Sequence, residues 1–358
     1  MIDQALASVA AGSLISGLAL VPVLMWQYHR YGAPSVRRLL GLGMVLVYAS
    51  AVVAYTIFPL PAQMSAGYCA DHGRPVLLDP LAHFRMLPEE LAGLTPWEVL
   101  GSPLLTHMLL NVALFVPLGV LGVRWAHWSA TRTVLTGLGL SLLVEATQYT
   151  GNWFLFPCPY RLADVNDLMT NTLGTALGVG LAVLLPRVFE DPRELARGRG
   201  LPRPVTRARR WAAMLIDGWV LGSALLLTWL VVFVGASLVV GEREIPHQSV
   251  EQVLSLTRSA FLVVATLVAV VPTLRRGHAS VGQRIVHLRP RALPGMRTPS
   301  WFTPGLVRGL AAVAVFSAAP TRVLAGLLWL AADAAYVVRD PRGLAGLVTG
   351  HEMADARA

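Results

Sequence analysis

Polar and charged side chains recur at helical spacing within strongly apolar sequence between residues 107 and 178. This set, called here the polar cluster, comprises Asn111, Glu145, Gln148, Arg161, Asp164, Asp167 and Asn171. The carboxylates could act as an acid, a base or a cation ligand, and the amides could hydrogen-bond a ligand. Arg161 could serve as their counter-ion. A charge at the centre of a bilayer costs at least about 2.5 kcal/mol, so such residues are usually paired or functional.

The composition places these residues in a membrane protein. The chain has 358 residues, of which 55% are hydrophobic and 14% charged, and its mean hydropathy is +0.58. Soluble proteins carry about 25% charged residues. We therefore predict an all-α fold, a polytopic integral membrane helical bundle with about eight transmembrane helices, each needing about 20 apolar residues.

Seven apolar segments are long enough to span a bilayer. They lie near 5–27, 39–59, 104–124, 132–150, 167–186, 211–236 and 254–274. An eighth apolar region, 305–338, would be about 50 Å long as a single helix, which exceeds one ordinary span. Because Pro320 and Arg322 interrupt it, we expect a re-entrant or in-plane piece followed by a span near 323–338.

The arginines predict an orientation, since positive residues accumulate in cytoplasmic loops. All 29 basic residues are arginine. They concentrate at 30–38, 124–132, 187–210 and 275–297, whereas 60–103, 151–166 and 241–252 are poor in arginine for their length. We expect a multi-pass protein of the bacterial cell membrane with its N-terminus outside and 187–210 in the cytoplasm. The net charge is +9, but the sequence has no basic, aromatic-interleaved domain of the kind that binds nucleic acid.

A segment rich in Arg, Pro and Gly, at 187–206, divides the chain into two modules. It lacks apolar periodicity, which is typical of an exposed linker. The expected organisation is an N-terminal transmembrane anchor at 1–38, a membrane domain at 39–186, a cytoplasmic linker at 187–206, a second membrane domain at 207–350 and a tail at 351–358. The two modules share no internal repeat, which argues against an inverted-repeat transporter.

The predicted helices bring the polar cluster to one depth. At about 1.5 Å per residue, Asn111, Glu145 and Asn171 lie within roughly 10 Å of the outer boundary. Asp164 is expected to cap the fifth helix. Gly174 and Gly178 form a small-xxx-small pair that allows a neighbouring helix to approach closely.

Two interpretations of the polar cluster stay open. Each residue alone is explained by a structural network, in which Arg161 neutralises a carboxylate and the amides hold helices together. The shared depth favours an outward-facing binding pocket. Oxygen ligands suit Mg²⁺ or Ca²⁺, but the sequence fixes no ligand number, so we predict no metal, no cofactor and no catalytic residue.

The first module resembles the VanZ-like family, whose namesake is associated with teicoplanin resistance. The resemblance covers most of 40–186. It rests on the spaced residues Asn111, Phe115, Pro117 and Gly119, on Glu145 with Gln148, and on the run from Arg161 to Gly174. It implies a small integral membrane protein of the cell envelope.

The second module carries intramembrane charges of its own. Arg210 and Asp217 lie seven residues apart on one face of the sixth span, while Arg308 and Asp333 belong to the last apolar region. These charges could be coupling groups of a transporter or a buried Arg–Asp pair that fixes helix packing.

These charges also resemble part of the pattern of the RDD family, over about 205–350. The resemblance rests on Arg209 to Asp217, on the run Ser-Val-Gly-Gln-Arg-Ile-Val from Ser280, and on Arg308-Gly-Leu. The family pattern ends in an acidic group, and the run from Arg342 to Gly346 lacks it. Asp333 matches that group only loosely, so a cation- or proton-coupled role is in doubt.

Two further features belong to the predicted outside loops. Cys69 and Cys158, the only cysteines, could form a disulfide in an oxidising compartment or stay as two free thiols. The segment from Asp79 to Glu98, which includes His83, is expected to be a re-entrant or amphipathic loop segment with a solvated charged face.

The favoured function is a non-catalytic binding or protective protein of the envelope that affects sensitivity to lipophilic glycopeptides. Its expected partners are the lipid bilayer and a lipid-linked cell-wall precursor or lipoglycopeptide held by the polar cluster. One alternative is a transporter of an ion or small solute that uses the second module. The other is an enzyme acting on outer-leaflet lipid headgroups, with Glu145 or Asp167 as general base.

Overall fold

The computed structural model describes residues 2–57, 69, 76–159, 162–240, 247–295, 299–317, 319–340 and 342–358. The fold is an all-α membrane helical bundle, as predicted. The chain forms two compact units. Unit 1 contains the residues up to Leu20 together with Ser35–Asp191, and unit 2 contains Val21–Pro34 together with Pro192–Ala358. The first helix therefore contributes to both units.

Unit 1 is built from long helices joined by short ones. They are α1 (Ile2–Tyr31), α2 (Val36–Ile57), α3 (Ala82–Leu91), α4 (Pro96–Gly101), α5 (Pro103–Arg124), α6 (Ala130–Tyr149) and α7 (Val165–Leu184). Two short strands, β1 (Val76–Leu77) and β2 (Ala163–Asp164), pair in parallel. Strand β2 leads directly into α7.

Helix caps set the starts of the long helices in unit 1. The side chains of Ser102, Ser129 and Asp164 each accept a hydrogen bond from a backbone N–H of the first turn of α5, α6 and α7 respectively. Such caps satisfy donors that the helix leaves unpaired. The predicted capping role of Asp164 is confirmed.

Helices α5 and α7 approach each other closely through glycines. A Cβ at Gly174 would lie 2.2 Å from the carbonyl oxygen of Val112, and a Cβ at Gly178 would lie 2.1 Å from that of Val116. Gly119 on α5 is equally tight against the backbone of α7. The predicted small-residue contact is therefore present, and it brings Asn111 on α5 alongside α7.

The segment before α3 and the segment before α7 are tied together at two points. Cys69 and Cys158 form a disulfide with their Cα atoms 5.7 Å apart, which resolves the alternative in favour of pairing. Strand β1 pairs with β2 through Val76 with Ala163 and Leu77 with Asp164. These links hold the segment before α3 against the start of α7.

Unit 2 contains the remaining helices and an antiparallel pair of strands. They are α8 (Pro192–Arg197), α9 (Arg207–Val240), α10 (His247–Ala265) with a π-helical turn at Thr266–Val270, α11 (Val271–Leu274), α12 (Val281–Ile285), β3 (Leu288–Ala292), α13 (Pro304–Val315), α14 (Pro320–Tyr336), α15 (Gly343–Thr349) and β4 (His351–Asp355). Tyr28 from α1 packs in its core with Ile216, Val286 and Leu288. Residues 351–358, expected to be a tail, include β4, which pairs with β3 along its whole length.

Five helices within the described ranges are long and apolar enough to cross a membrane, judged by length and composition. They are Val36–Tyr55, Pro103–Arg124, Val165–Leu184, Arg207–Leu238 and Glu251–Leu274. The predicted spans near 5–27 and 132–150 are helical in the structure but are not among these five, and the first of them includes side chains outside the described part of the chain. About eight spans therefore stays a prediction. Region 305–338 is divided as expected, because α13 ends at Val315 and α14 begins at Pro320.

Candidate functional site

Three helices of unit 1 bring most of the polar cluster together. Asn111 on α5 donates a hydrogen bond from Nδ2 to Oδ1 of Asp167 on α7 at 2.7 Å. One turn further along α7, Asn171 donates from Nδ2 to the hydroxyl of Ser141 on α6 at 2.9 Å. Helix α7 therefore presents polar groups to both of its neighbours. Ser141 was not predicted, because a serine in an apolar helix is too common to stand out.

Asp164 links three parts of the site through separate atoms. Its backbone N–H donates to Oε2 of Glu145 at 2.9 Å. Its Oδ1 accepts from the backbone and the side chain of Asn166 at 2.8 and 2.7 Å, while its Oδ2 lies 3.0 Å from Nε2 of His83. The carboxylate of Asp164, which caps α7, thus also orients His83 on α3 and Asn166 in the first turn of α7.

His83 is the functional candidate that the sequence did not reveal. Segment 79–98 was expected to present a solvated charged face, and for His83 that expectation was wrong. The residue is 8% exposed and its ring pairs with Asp164. Asn166 reinforces the connection by donating to the backbone oxygen of Asp79 at 2.9 Å. Helix α3, which carries His83, is therefore part of the site.

A cavity of about 280 Å³ lies among these helices. Its polar lining is His107, Asn111, Glu145, Gln148, Asp167 and Asn171, and Tyr55 and aliphatic side chains complete it. Glu145 and Gln148 are 9% and 6% exposed, so these two groups are shielded from bulk solvent. Five of the seven predicted residues share this cavity.

The other two members of the polar cluster stand apart from the cavity lining. Asp164 acts on it through Glu145 and His83 rather than by lining it. Arg161 lies outside the described residues, so its predicted role as counter-ion stays a prediction.

Two histidines and one carboxylate form a group beside this cavity, which His107 and Asp167 also line. His83, His107 and Asp167 each offer a ligand atom, and these three atoms lie within 4.8 Å of one another. Nε2 of His107 is 3.7 Å from Oδ2 of Asp167, and the two histidine rings meet edge to face with centroids 6.1 Å apart. Within the described part of the chain, this is the group with a composition suited to a metal ion.

The charges of unit 2 pair differently from the expected Arg210–Asp217 arrangement. Arg210 donates to the backbone oxygen of Arg342. Asp217 accepts from the hydroxyl of Ser280 at 2.6 Å and from the backbone N–H of Gly282 at 2.7 Å. The two residues share a helix face but bind different neighbours, because α12 and the loop before α15 approach α9 at different heights.

The buried Arg–Asp pair of unit 2 joins Arg308 on α13 to Asp333 on α14, with 2.5 Å between Nε and Oδ2. Oδ1 of Asp333 accepts the backbone N–H of Ala345 at 2.8 Å. Asp333 thus contacts the run that lacks the acidic group of the RDD pattern. Both residues line a second cavity, of about 240 Å³, with Asp217 and Ser280.

Comparison with known proteins bears on the first unit. Residues 45–186 match the VanZ/LLP1 family model. The matched range includes α5, α6 and α7 and every residue of the polar cluster, so this range is called the VanZ-like region from here on. The comparisons give no support for an RDD domain in the second half. No curated protein and no solved structure matches the chain.

The match and the apolar helices together describe a membrane protein with a VanZ-like region. The predicted residues Phe115 and Gly119 are buried within it. Phe115 is fully buried, and Gly119 permits the close approach of α7. These two residues therefore support packing, whereas Asn111, Glu145 and Asp167 face the cavity.

Proposed function

We propose that the protein is an envelope membrane protein whose VanZ-like region binds the polar headgroup of a lipid-linked or lipophilic ligand, and that this binding contributes to tolerance of teicoplanin-type lipoglycopeptides. The observation that carries the proposal is the cavity, since polar side chains of three apolar helices converge there. Ligand sites are typically apolar concavities with a few convergent polar groups.

The lining indicates the chemistry of the ligand. Glu145 and Asp167 supply carboxylate oxygens, and Asn111, Gln148 and Asn171 supply amides. Such a set accepts hydrogen bonds from hydroxyl, amide or ammonium groups, as found on sugars and short peptides. Aliphatic walls suit the adjoining part of a lipid.

The size of the cavity limits how much of a ligand enters. A volume of about 280 Å³ lies near the lower end of small-molecule sites, which begin at about 300 Å³. A single sugar or headgroup fits, whereas a whole glycopeptide does not. The proposal is therefore recognition of one end of the ligand, with the remainder in the lipid or in water.

The disulfide supports placing the cavity on the outer side of the membrane. Disulfides persist in oxidising compartments and are rare in the cytosol. Cys69 and Cys158 are joined in the loops that precede α7, at the same end of α7 as Asp164 and Asp167. This agrees with the orientation predicted from the arginines.

The test compares wild type with Glu145→Gln and Asp167→Asn in a susceptible host, by the lipoglycopeptide concentration that inhibits growth. Each substitution replaces a carboxyl group by an amide with almost no change in shape, so we expect loss of at least half of the added tolerance. Glu89→Gln makes the same chemical change at an exposed position on α3 and is expected to keep full tolerance.

Two outcomes would count against binding. Equal tolerance for all four proteins, expressed at equal levels in the membrane, would reject the resistance role. Conversion of a labelled lipid by the purified protein, abolished by Glu145→Gln, would replace binding with the enzymatic alternative. Transport through unit 2 stays a prediction of the sequence.

A further inference from the structure

We propose that His83, His107 and Asp167 bind a divalent transition-metal ion of the zinc type beside the cavity. Two imidazoles and one carboxylate are a ligand set that zinc sites use, with a fourth position left for water or substrate. Their three ligand atoms lie within 4.8 Å of one another and come from three different helices, α3, α5 and α7.

The hydrogen bonds around His83 leave one ring nitrogen available to a metal ion. Its Nε2 faces Oδ2 of Asp164 at 3.0 Å, while its Nδ1 is buried and has no hydrogen-bond partner. A neutral imidazole that donates from Nε2 carries a lone pair on Nδ1. Metal-binding histidines usually donate their other nitrogen to a carboxylate or carbonyl, which fixes the ring. A metal ion would satisfy the buried Nδ1.

Asp167 is held in a similar way. Its Oδ1 accepts the amide of Asn111 at 2.7 Å, which leaves Oδ2 directed toward His107 at 3.7 Å. One oxygen is therefore oriented by a neighbour and the other is available to a metal. In metal sites a neighbouring residue typically hydrogen-bonds the ligand and orients it toward the metal.

The spacing needs only a small adjustment. With zinc–ligand bonds of about 2.0–2.1 Å, tetrahedral ligand atoms are roughly 3.4 Å apart, so even a separation of 4.8 Å would have to shorten by only somewhat more than 1 Å. The His107 side chain is 51% exposed and can turn with little hindrance. His83 is buried and Asp167 is half-buried, and each is held by a hydrogen bond or ion pair with a neighbour.

An ion at this position would border the cavity, because His107 and Asp167 line both. Its open coordination position would bind an oxygen of the headgroup. That role rests on the proposed function, whereas metal binding itself does not.

Zinc binding can be measured directly on the full-length protein without a polyhistidine tag. The protein is purified in detergent, stripped with a chelator, dialysed against Zn²⁺ and analysed for metal content. We expect one Zn²⁺ per chain. His83→Asn and Asp167→Asn are expected to weaken binding at least tenfold. Asp164→Asn keeps a good helix cap but removes the supporting carboxylate, so we expect about 10- to 100-fold weaker binding.

Two further histidine variants act as controls for folding and specificity. His107→Asn changes an exposed side chain and must also weaken binding, even if the His83 variants fold poorly. His127→Asn must leave binding unchanged, since His127 is exposed and outside the site. Its backbone φ of 55° is one that asparagine adopts readily.

The inference is overturned if wild type binds no Zn²⁺, or if His83→Asn and His107→Asn bind as tightly as wild type. It is separable from the proposed function. If His107→Asn loses zinc and yet keeps full lipoglycopeptide tolerance, the metal site is supported, and the metal's role in ligand binding is refuted. If wild type binds no zinc and tolerance is lost only in Glu145→Gln, the metal site is rejected and the proposed function is supported.

Discussion

Single carboxylates in this protein serve several partners at once, and Asp355 shows the electrostatic consequence. Burial opposes its ionisation, yet hydrogen bonds from Arg357, from the backbone of Arg203 and from Arg209 hold its pKa well below the usual range. Nη1 of Arg209 lies 2.8 Å from Oδ2, and both side chains are about 5% exposed. The pair thus joins the start of α9 to the end of β4.

The lowered pKa predicts a pH dependence of unit 2. A carboxylate with a depressed folded-state pKa contributes stability above its unfolded pKa, near about 3.9, and that contribution is lost as the pH falls toward the folded value. We expect the free energy of unfolding in detergent to fall below about pH 4. Asp355→Asn should lower it at neutral pH by about 3 kcal/mol, because the buried Arg209 loses its carboxylate partner.

Asp340→Asn is the control for that prediction. Asp340 pairs with Arg342 at 2.7 Å in a more exposed position, so its removal should cost no more than about 1 kcal/mol. Equal losses for the two variants, or an Asp355→Asn protein with wild-type acid sensitivity, would contradict the assignment.

At the scale of elements, the α5–α7 contact determines how close Asn111 comes to Asp167. Gly178 meets the carbonyl oxygen of Val116, and backbone cannot move aside as a flexible side chain can. We expect Gly178→Ala to lower the free energy of unfolding by about 1–3 kcal/mol through overpacking. Thermal unfolding in detergent measures this.

Gly180 provides the matched control for Gly178. It lies on the same helix with open space where a Cβ would be. Gly180→Ala should be neutral or stabilise by up to about 1 kcal/mol, since alanine favours helices. A stable Gly178→Ala protein would show that the helices can separate without penalty.

Local patterns made some elements predictable and not others. The cap at Asp164 and the glycines of α7 follow from spacing along one helix, so the sequence alone indicated them. His83 could not be found in this way, because its partner Asp164 is distant in sequence and the pairing depends on a loop and a disulfide. Likewise Arg210 and Asp217 share a helix face, yet their partners come from elements whose approach no periodicity encodes.

On the scale of the whole molecule, the sequence predicts sidedness and the structure supplies a means to test it. Impermeant maleimide applied to intact cells should label Cys69 and Cys158 only after reduction, because the two form a disulfide. Cys69→Ser should make Cys158 reactive without reductant. No labelling of reduced wild type would contradict the predicted orientation.

The disulfide also implies an order of maturation. Cys69 precedes Cys158 by 89 residues, so a growing chain carries the first thiol long before the second is made. The segment that leads into α3, the helix bearing His83, can be fastened to the start of α7 only once α5 and α6 have been synthesised. Completion of the site is therefore a late event in biogenesis, and the availability of oxidant during membrane insertion would govern the yield of competent protein.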